Sequence, residues 1–178
     1  IKVFSGIIEM REGNVQGHSR RVAANAHKLA KQMGLNDDQV QNVLFASLLH
    51  DIGKISLPDD ILNKPFNSLT KEESDRVRKH PALGEGLLMA LEPLQKPAQI
   101  ISAHHERHDG LGFPAGLKAD QIPIEAAILS VVNDYDSLQT GAISASRFSE
   151  LEAREYLKEY QGRRYHPQVV DEFLRLLD

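Results

Sequence analysis

Apolar positions along this chain recur at steps of three and four. From His18 to Met33 they fall at Val22, Ala26, Leu29, Ala30 and Met33, and Gly34 then supplies a helix stop. The pattern predicts an amphipathic helix with His18 near its start. Asn36, backed by Asp37 and Asp38, is a good N-terminal cap with acidic charge in the first turn. Val40, Val43, Leu44, Leu48 and Leu49 carry that second helix to His50 and Asp51.

Further on, Thr70 and Glu73 form a capping-box pair ahead of a polar helix. Pro81 suits the first turn of the next, whose apolar residues are Leu83, Leu87, Leu88 and Leu91. His80 therefore falls at a helix junction. Ala98 to His105 reads as a buried helix ending in a histidine pair, and the turn-rich run from Asp109 to Pro114 cannot continue it. Ile124 to Leu138 predicts a mostly apolar helix. Ser149 with Glu152 caps another containing Tyr156, Leu157 and Tyr160, and a last helix follows Pro167 through Val169, Val170, Phe173 and Leu177. No alternating strand pattern competes, so the expected fold is all-α, a helical bundle.

Composition narrows the functional classes. With 178 residues, 41% hydrophobic and 26% charged, the chain suits one domain spanning 1–178. A net charge of -4 without a basic run argues against a DNA-binding surface, though a small phosphorylated ligand stays compatible. No apolar run approaches the ~20 residues of a membrane span, which leads to the expectation of a cytoplasmic protein. The first residue is Ile1 rather than Met, which suggests a fragment of a longer regulatory protein. The absence of cysteine restricts any metal site to imidazole, carboxylate, carbonyl and water ligands.

Such ligands are present in number. His50 and Asp51 end one predicted helix, His104 and His105 end another, and His18 and His80 lie at helix starts. Each imidazole alone is more often a hydrogen-bonded core residue, but six residues at helix ends form a donor set for divalent transition metals. Asp51 is the natural bridge between two ions. Two such ions, about 3.5–4 Å apart, support phosphodiester hydrolysis by in-line displacement. Lys54 follows closely enough to direct an ammonium at a phosphate. His27, nine positions after His18 at about 100° per step, is expected to face solvent on the opposite side of its helix. His108 and His166 lie in loop-like sequence, where a surface role is expected.

The runs His50-Asp51-Ile52-Gly53-Lys54 and His104-His105-Glu106-Arg107-His108-Asp109-Gly110-Leu111-Gly112-Phe113-Pro114 resemble the HD-GYP family, a branch of the HD phosphohydrolases whose members hydrolyse cyclic di-GMP. The second run follows the family's HHExxDGxGYP pattern with Phe113 in place of Tyr, which removes a hydroxyl and keeps the ring. The resemblance extends from His18 through the helix after Ile124 and weakens towards the C terminus. It implies an HD-type helical bundle with a metal site between helices and two divalent transition-metal ions per chain, iron or manganese before nickel or zinc. It assigns His18, His50 and Asp51 to the first ion and Asp51, His80, His104 and His105 to the second. Asp51 and Lys54 are the implied catalytic residues, with Lys54 on the scissile phosphate. Glu106, Asp109 and Gly110 are expected to shape the turn.

Three departures from the family pattern change the picture. Asn133 stands where a ligand Asp is usual, three positions before the Asp of Asp136-Ser137-Leu138. Its amide oxygen can coordinate but brings no charge, so the first metal should be held more weakly unless Asp134 or Asp136 reaches in. Asp136, about 60° around the helix from Asn133, is the better placed of these two, although a carboxylate on the helix surface, or one supporting the ligands from outside, is its expected role. The family's basic Arg-Pro-Tyr-Arg segment is replaced by Ala142-Ile143-Ser144-Ala145, with Arg147 nearby as a substitute. Asn14 occupies the position of an acidic third-metal ligand, which favours two metals.

The resemblance thus implies hydrolysis of cyclic di-GMP to pGpG or GMP in bacterial second-messenger signalling. It also implies an N-terminal receiver or sensory domain and a GGDEF-type protein partner. Two alternatives stand beside it. One is a degenerate module that binds metal or cyclic dinucleotide and signals without turnover, motivated by Asn133 and the missing basic segment. The other is an HD phosphohydrolase acting on a related cyclic dinucleotide.

Overall fold

A computed structural model describes residues 17–178. Among these residues there is no β-strand, and nine α-helices follow in order: α1 (His18–Gln32), α2 (Asp37–Leu49), α3 (Asp59–Leu62), α4 (Lys71–Val77), α5 (His80–Leu88), α6 (Gln95–Ala103), α7 (Ile124–Thr140), α8 (Glu150–Glu159) and α9 (Pro167–Leu177). The caps form where the sequence predicts them. Asn36 with Gln39, Thr70 with Glu73, and Ser149 with Glu152 each make reciprocal capping boxes that satisfy otherwise orphaned backbone N–H groups. No helix among the described residues is long and apolar enough to cross a membrane.

Helix α7 is the centre of the bundle. It is buried on nearly every side, from Ala126 to Leu129 and from Val131 to Leu138, as expected of a helix surrounded by others. Val22, Ala26 and Leu29 of α1, Val43 and Ala46 of α2, and Ile101 of α6 join the same core. Helix α9 closes one side through Val169, Val170 and Phe173, and the Phe173 ring meets Tyr135 edge-on at 5.1 Å.

Helix α5 turns a different face inward from the one its leucines suggest. Leu83 and Leu87 in α5, with Leu91 just beyond it, are 45%, 53% and 52% exposed, whereas His80, Pro81, Gly84 and Leu88 are buried. The reason is a close approach between α5 and the tight turn Ile52–Ser56. A β-carbon on Gly53 would lie 2.0 Å from the His80 carbonyl oxygen and 2.7 Å from the Gly84 amide nitrogen. Two glycines therefore let backbone meet backbone, and this contact brings His80 towards Asp51.

Candidate metal centre

Three of the site histidines are oriented by one local device. A helix C terminus leaves carbonyls without partners, and an imidazole placed three residues later can donate to one of them. His50 Nδ1 donates to the Ser47 carbonyl at 2.8 Å, His80 Nδ1 to Val77 at 2.7 Å and His104 Nδ1 to Ile101 at 2.6 Å. Each hydrogen bond fixes a tautomer and leaves Nε2 as the free donor atom, the arrangement metal-binding histidines adopt. The Nε2 atoms of His80 and His104 are buried without a hydrogen-bond partner.

The side chains meet as two clusters. His18, His50 and Asp51 form one, and His80, His104 and His105 form the other, with ligand atoms within 4.8 Å of one another in each. Asp51 spans them: Oδ2 lies 3.3 Å from His50 Nε2, and Oδ1 lies 3.5 Å from His80 Nε2. Asn133 completes the first cluster, its Oδ1 3.1 Å from His18 Nε2, which is itself 3.3 Å from His50 Nε2. His18 Nδ1 is engaged by Asp136, so in the neutral ring these contacts bring lone pairs face to face. Lone pairs so arranged repel unless a cation lies among them, and the donor set of imidazole, one carboxylate and one amide oxygen fits a divalent transition metal.

The two rescue candidates for Asn133 are committed elsewhere. Asp136 Oδ2 lies 2.6 Å from His18 Nδ1, and Arg21 clamps the same carboxylate at 2.7 and 2.9 Å. Asp136 therefore orients His18 from behind and stays outside the ligand set. Asp134 accepts from Tyr165 Oη at 2.8 Å and from Arg164 Nε at 2.9 Å.

Electrostatics suit the donor role. Burial brings His80 down to about 4, with Asp51 offsetting only part of the effect. Burial, then the neighbouring imidazoles, holds His104 and His105 well below the ordinary histidine range. All three rings are neutral near pH 7, the form in which an imidazole can bind a metal. At His50 burial opposes the charged form, but the Asp51 carboxylate outweighs it and raises the pKa. Asp51 is held well below the usual carboxylate range, because the charges of His50 and Lys54 overcome its burial. The field that favours a proton on His50 also favours a metal cation there.

These groups form part of the lining of a cavity of about 400 Å³, with His18, Asp51, Lys54, His80, His105 and Asn133 on its wall. The loop after α6 makes its rim. Glu106, almost fully buried, accepts backbone N–H groups from Ala115, Gly116 and Leu117 at 2.7, 3.1 and 3.0 Å. Asp109 accepts from Leu111 N, and Gly110 adopts φ 81°, so the turn-forming expectation for this loop holds. The loop places Phe113 in a stack on His105, ring centroids 5.0 Å apart.

Some expectations are corrected. His27 is half-buried rather than solvent-facing, with Nδ1 enclosed, because it borders the buried Ala23 and Ala30, one helical turn before and after it. His108 and His166 are half-buried and contact each other edge-on at 5.4 Å, since His108 N bonds to the Arg164 carbonyl and joins their loops. Arg147 is exposed and lies outside the cavity lining, packed against Gly141. Asn14 lies outside the described residues. Sequence reasoning missed Arg78 and Arg164, both on the cavity wall, because neither belongs to a metal-ligand pattern.

The sequence model of the HD domain family matches residues 2–169, and the chain belongs to this family. Its paired motifs and its relatives place it in the HD-GYP branch. The cyclic di-GMP phosphodiesterase response regulator RpfG of Xanthomonas campestris pv. campestris is 36% identical over 170 residues, covering 94% of this chain and 45% of RpfG. The 3'3'-cGAMP-specific phosphodiesterase 2 of Vibrio cholerae is 32% identical over 177 residues, covering 98% of this chain and 34% of that protein. Among solved structures, Bd1817, an HDG"Y"P protein from Bdellovibrio bacteriovorus, superposes with a TM-score of 0.77 at 25% identity, over 92% of this chain and 52% of Bd1817. The chain spans less than half the length of these two curated relatives.

Proposed function

We propose that this chain is a metal-dependent phosphodiesterase domain that hydrolyses cyclic di-GMP to pGpG or GMP in bacterial second-messenger signalling. One observation carries the reading: two imidazole-rich clusters share Asp51 on the wall of a cavity of about 400 Å³ that Lys54 also lines. In this reading His18, His50, Asp51 and the Asn133 amide oxygen hold one divalent ion. Asp51, His80, His104 and His105 hold a second. Iron or manganese is preferred, and nickel or zinc suits the same donors. Such ions, when bound, supply Lewis acidity towards phosphoryl oxygens and acidify water.

The protein's own groups do the remaining work. Asp51 gives both clusters their shared negative charge. Lys54 Nζ, 2.8 Å from Asp51 Oδ2, presents an ammonium to a phosphate oxygen from the same wall. Asp136 and the carbonyls of Ser47, Val77 and Ile101 hold four imidazoles in orientation. Phe113 shields one side of His105 from water.

Residues 1–178 are proposed as one domain working in the cytoplasm beside a receiver or sensory domain, with a GGDEF-type protein as partner. The response-regulator description of RpfG supports the first of these neighbours. A second substrate reading, a related cyclic dinucleotide, is favoured by the 32% identity to the Vibrio cholerae cGAMP enzyme. The test is anaerobic reconstitution with ferrous iron and, separately, manganese, with bound metal quantified and cyclic di-GMP and 3'3'-cGAMP assayed side by side. Turnover that disappears in Asp51→Ala supports the enzyme. No product from either dinucleotide with two metals bound overturns it in favour of the non-catalytic signalling module.

A further inference from the structure

We propose that Arg78 reads the guanine base of the substrate, an assignment that rests on the phosphodiesterase reading above. Five cationic side chains line the cavity: Lys54, Lys64, Arg78, Arg107 and Arg164. Four are already paired with carboxylates. Lys54 meets Asp51 at 2.8 Å, Lys64 meets Glu73 at 2.6 Å, Arg107 meets Asp109 at 2.6 Å and Arg164 meets Asp134 at 2.8 Å. Among the described residues, the Arg78 guanidinium alone of the five has neither an ion pair nor a side-chain hydrogen bond.

What holds Arg78 is aromatic. Its guanidinium carbon lies 5.0 Å from the Phe113 ring centroid and 6.0 Å from that of Phe66. A cation–π contact uses up no acceptor for the guanidinium N–H groups, so the fork stays available to a ligand. Phe66 is itself fastened, because the Phe66 and Asn67 amides donate to the Ala142 and Ile143 carbonyls, both at 2.9 Å. The turn carrying Phe66 thus lies against the uncharged stretch Ala142-Ile143-Ser144-Ala145. Arg78 supplies cationic character where that stretch has none, two residues from His80, so the base subsite and the metal centre share one wall.

The chemistry selects guanine. A guanidinium fork pairs with guanine O6 and N7, both acceptors, whereas adenine offers N7 beside an N6 amino donor that opposes the fork. Phe113 is taken up by His105 and Arg78, so Phe66, with the looser contact to Arg78, is the ring that offers an apolar face for a base to stack on.

The experiment measures equilibrium binding of GMP, AMP and inorganic phosphate to the chain and to Arg78→Ala, Arg78→Lys and Arg78→Gln, with thermal melts as a folding control. It then compares kcat/KM for cyclic di-GMP and cyclic di-AMP in metal-loaded protein. Arg78→Ala is expected to lose about tenfold to a hundredfold in GMP affinity, with AMP and phosphate affinities unchanged. Arg78→Lys should recover little, because an ammonium lacks the fork. Arg78→Gln should shift preference towards AMP, since an amide matches adenine N6 and N7. Equal losses for GMP, AMP and phosphate would make Arg78 a phosphate anchor and overturn the assignment, as would no loss at all. Wild-type protein that prefers GMP but turns over no cyclic dinucleotide refutes the phosphodiesterase reading alone. An active enzyme whose guanine preference survives all three substitutions refutes the Arg78 assignment alone, and binding of neither nucleotide together with no turnover refutes both.

Discussion

Gly53→Ala adds one methyl group at the point where the turn Ile52–Ser56 touches α5. The new carbon would lie 2.0 Å from the His80 oxygen, 2.7 Å from the Gly84 nitrogen and 2.9 Å from the His80 carbonyl carbon. All three are backbone atoms, so no side-chain rotation relieves the clash. Overpacking costs about 1–3 kcal/mol where side chains can adjust, which puts this substitution at about 3 kcal/mol. One kcal/mol shifts the midpoint of a chain this size by about 2–4 °C, so the expected fall is about 6–12 °C. Two glycines of α5 serve as controls. A β-carbon on Gly86 meets nothing within 4 Å, and Gly86→Ala should gain up to about 1 kcal/mol from helix propensity. At Gly84 the nearest atoms are side-chain methyls of Ile101 and Ile52, at 3.2 and 3.3 Å, so Gly84→Ala should fall between the others. Thermal and urea melts of chelator-treated protein give the order. A Gly53→Ala midpoint within about 2 °C of wild type would refute the close-approach argument. Displacing α5 also carries His80 away from Asp51, so metal affinity at the second cluster should drop with stability.

Asp136→Asn should weaken metal binding at the His18 cluster by about tenfold to a hundredfold, leaving the His80 cluster untouched. Competition with a chromogenic chelator resolves the two sites, and equal weakening of both contradicts the role given to Asp136. Asn133→Asp adds a charge at the first cluster and should tighten its hold on a divalent ion, so unchanged affinity in the same titration counts against Asn133 as a ligand. Glu106→Gln replaces a charged acceptor of three backbone hydrogen bonds, and a loss of about 1.5–3 kcal/mol is expected. Its signature is faster hydrogen exchange at Ala115, Gly116 and Leu117, and exchange as slow as in wild type would show that the carboxylate does not hold the loop.

The helices and most of the centre are legible in the sequence because both depend on local signals. The caps at Asn36, Thr70 and Ser149 are chosen by side chains three residues away, and His50, His80 and His104 are fixed by carbonyls of their own segments. What escapes depends on distant parts of the chain. The exposed row of Leu83, Leu87 and Leu91 reads as a buried stripe until Gly53 is seen to draw the opposite face of α5 inward. A supporting role for Asp136 is among the expectations, but its partners Arg21 and His18 lie more than 100 residues away and carry no local signal. Arg78 carries no motif at all, and only the cavity shows that its charge is unspent.

The hydrogen bonds from His50, His80 and His104 to the ends of the helices that precede them have a consequence for the life of the protein in a cell. Each ligand is tied to a different segment, so a bound cation ties together stretches of chain that span residues 18 to 133. A free cation concentration of about a hundred times Kd would add about 2.7 kcal/mol to the folded state for each ion bound. Chains short of metal open more often and meet proteases sooner, so scarcity would reduce the amount of protein before any measurement of catalysis registered a deficit.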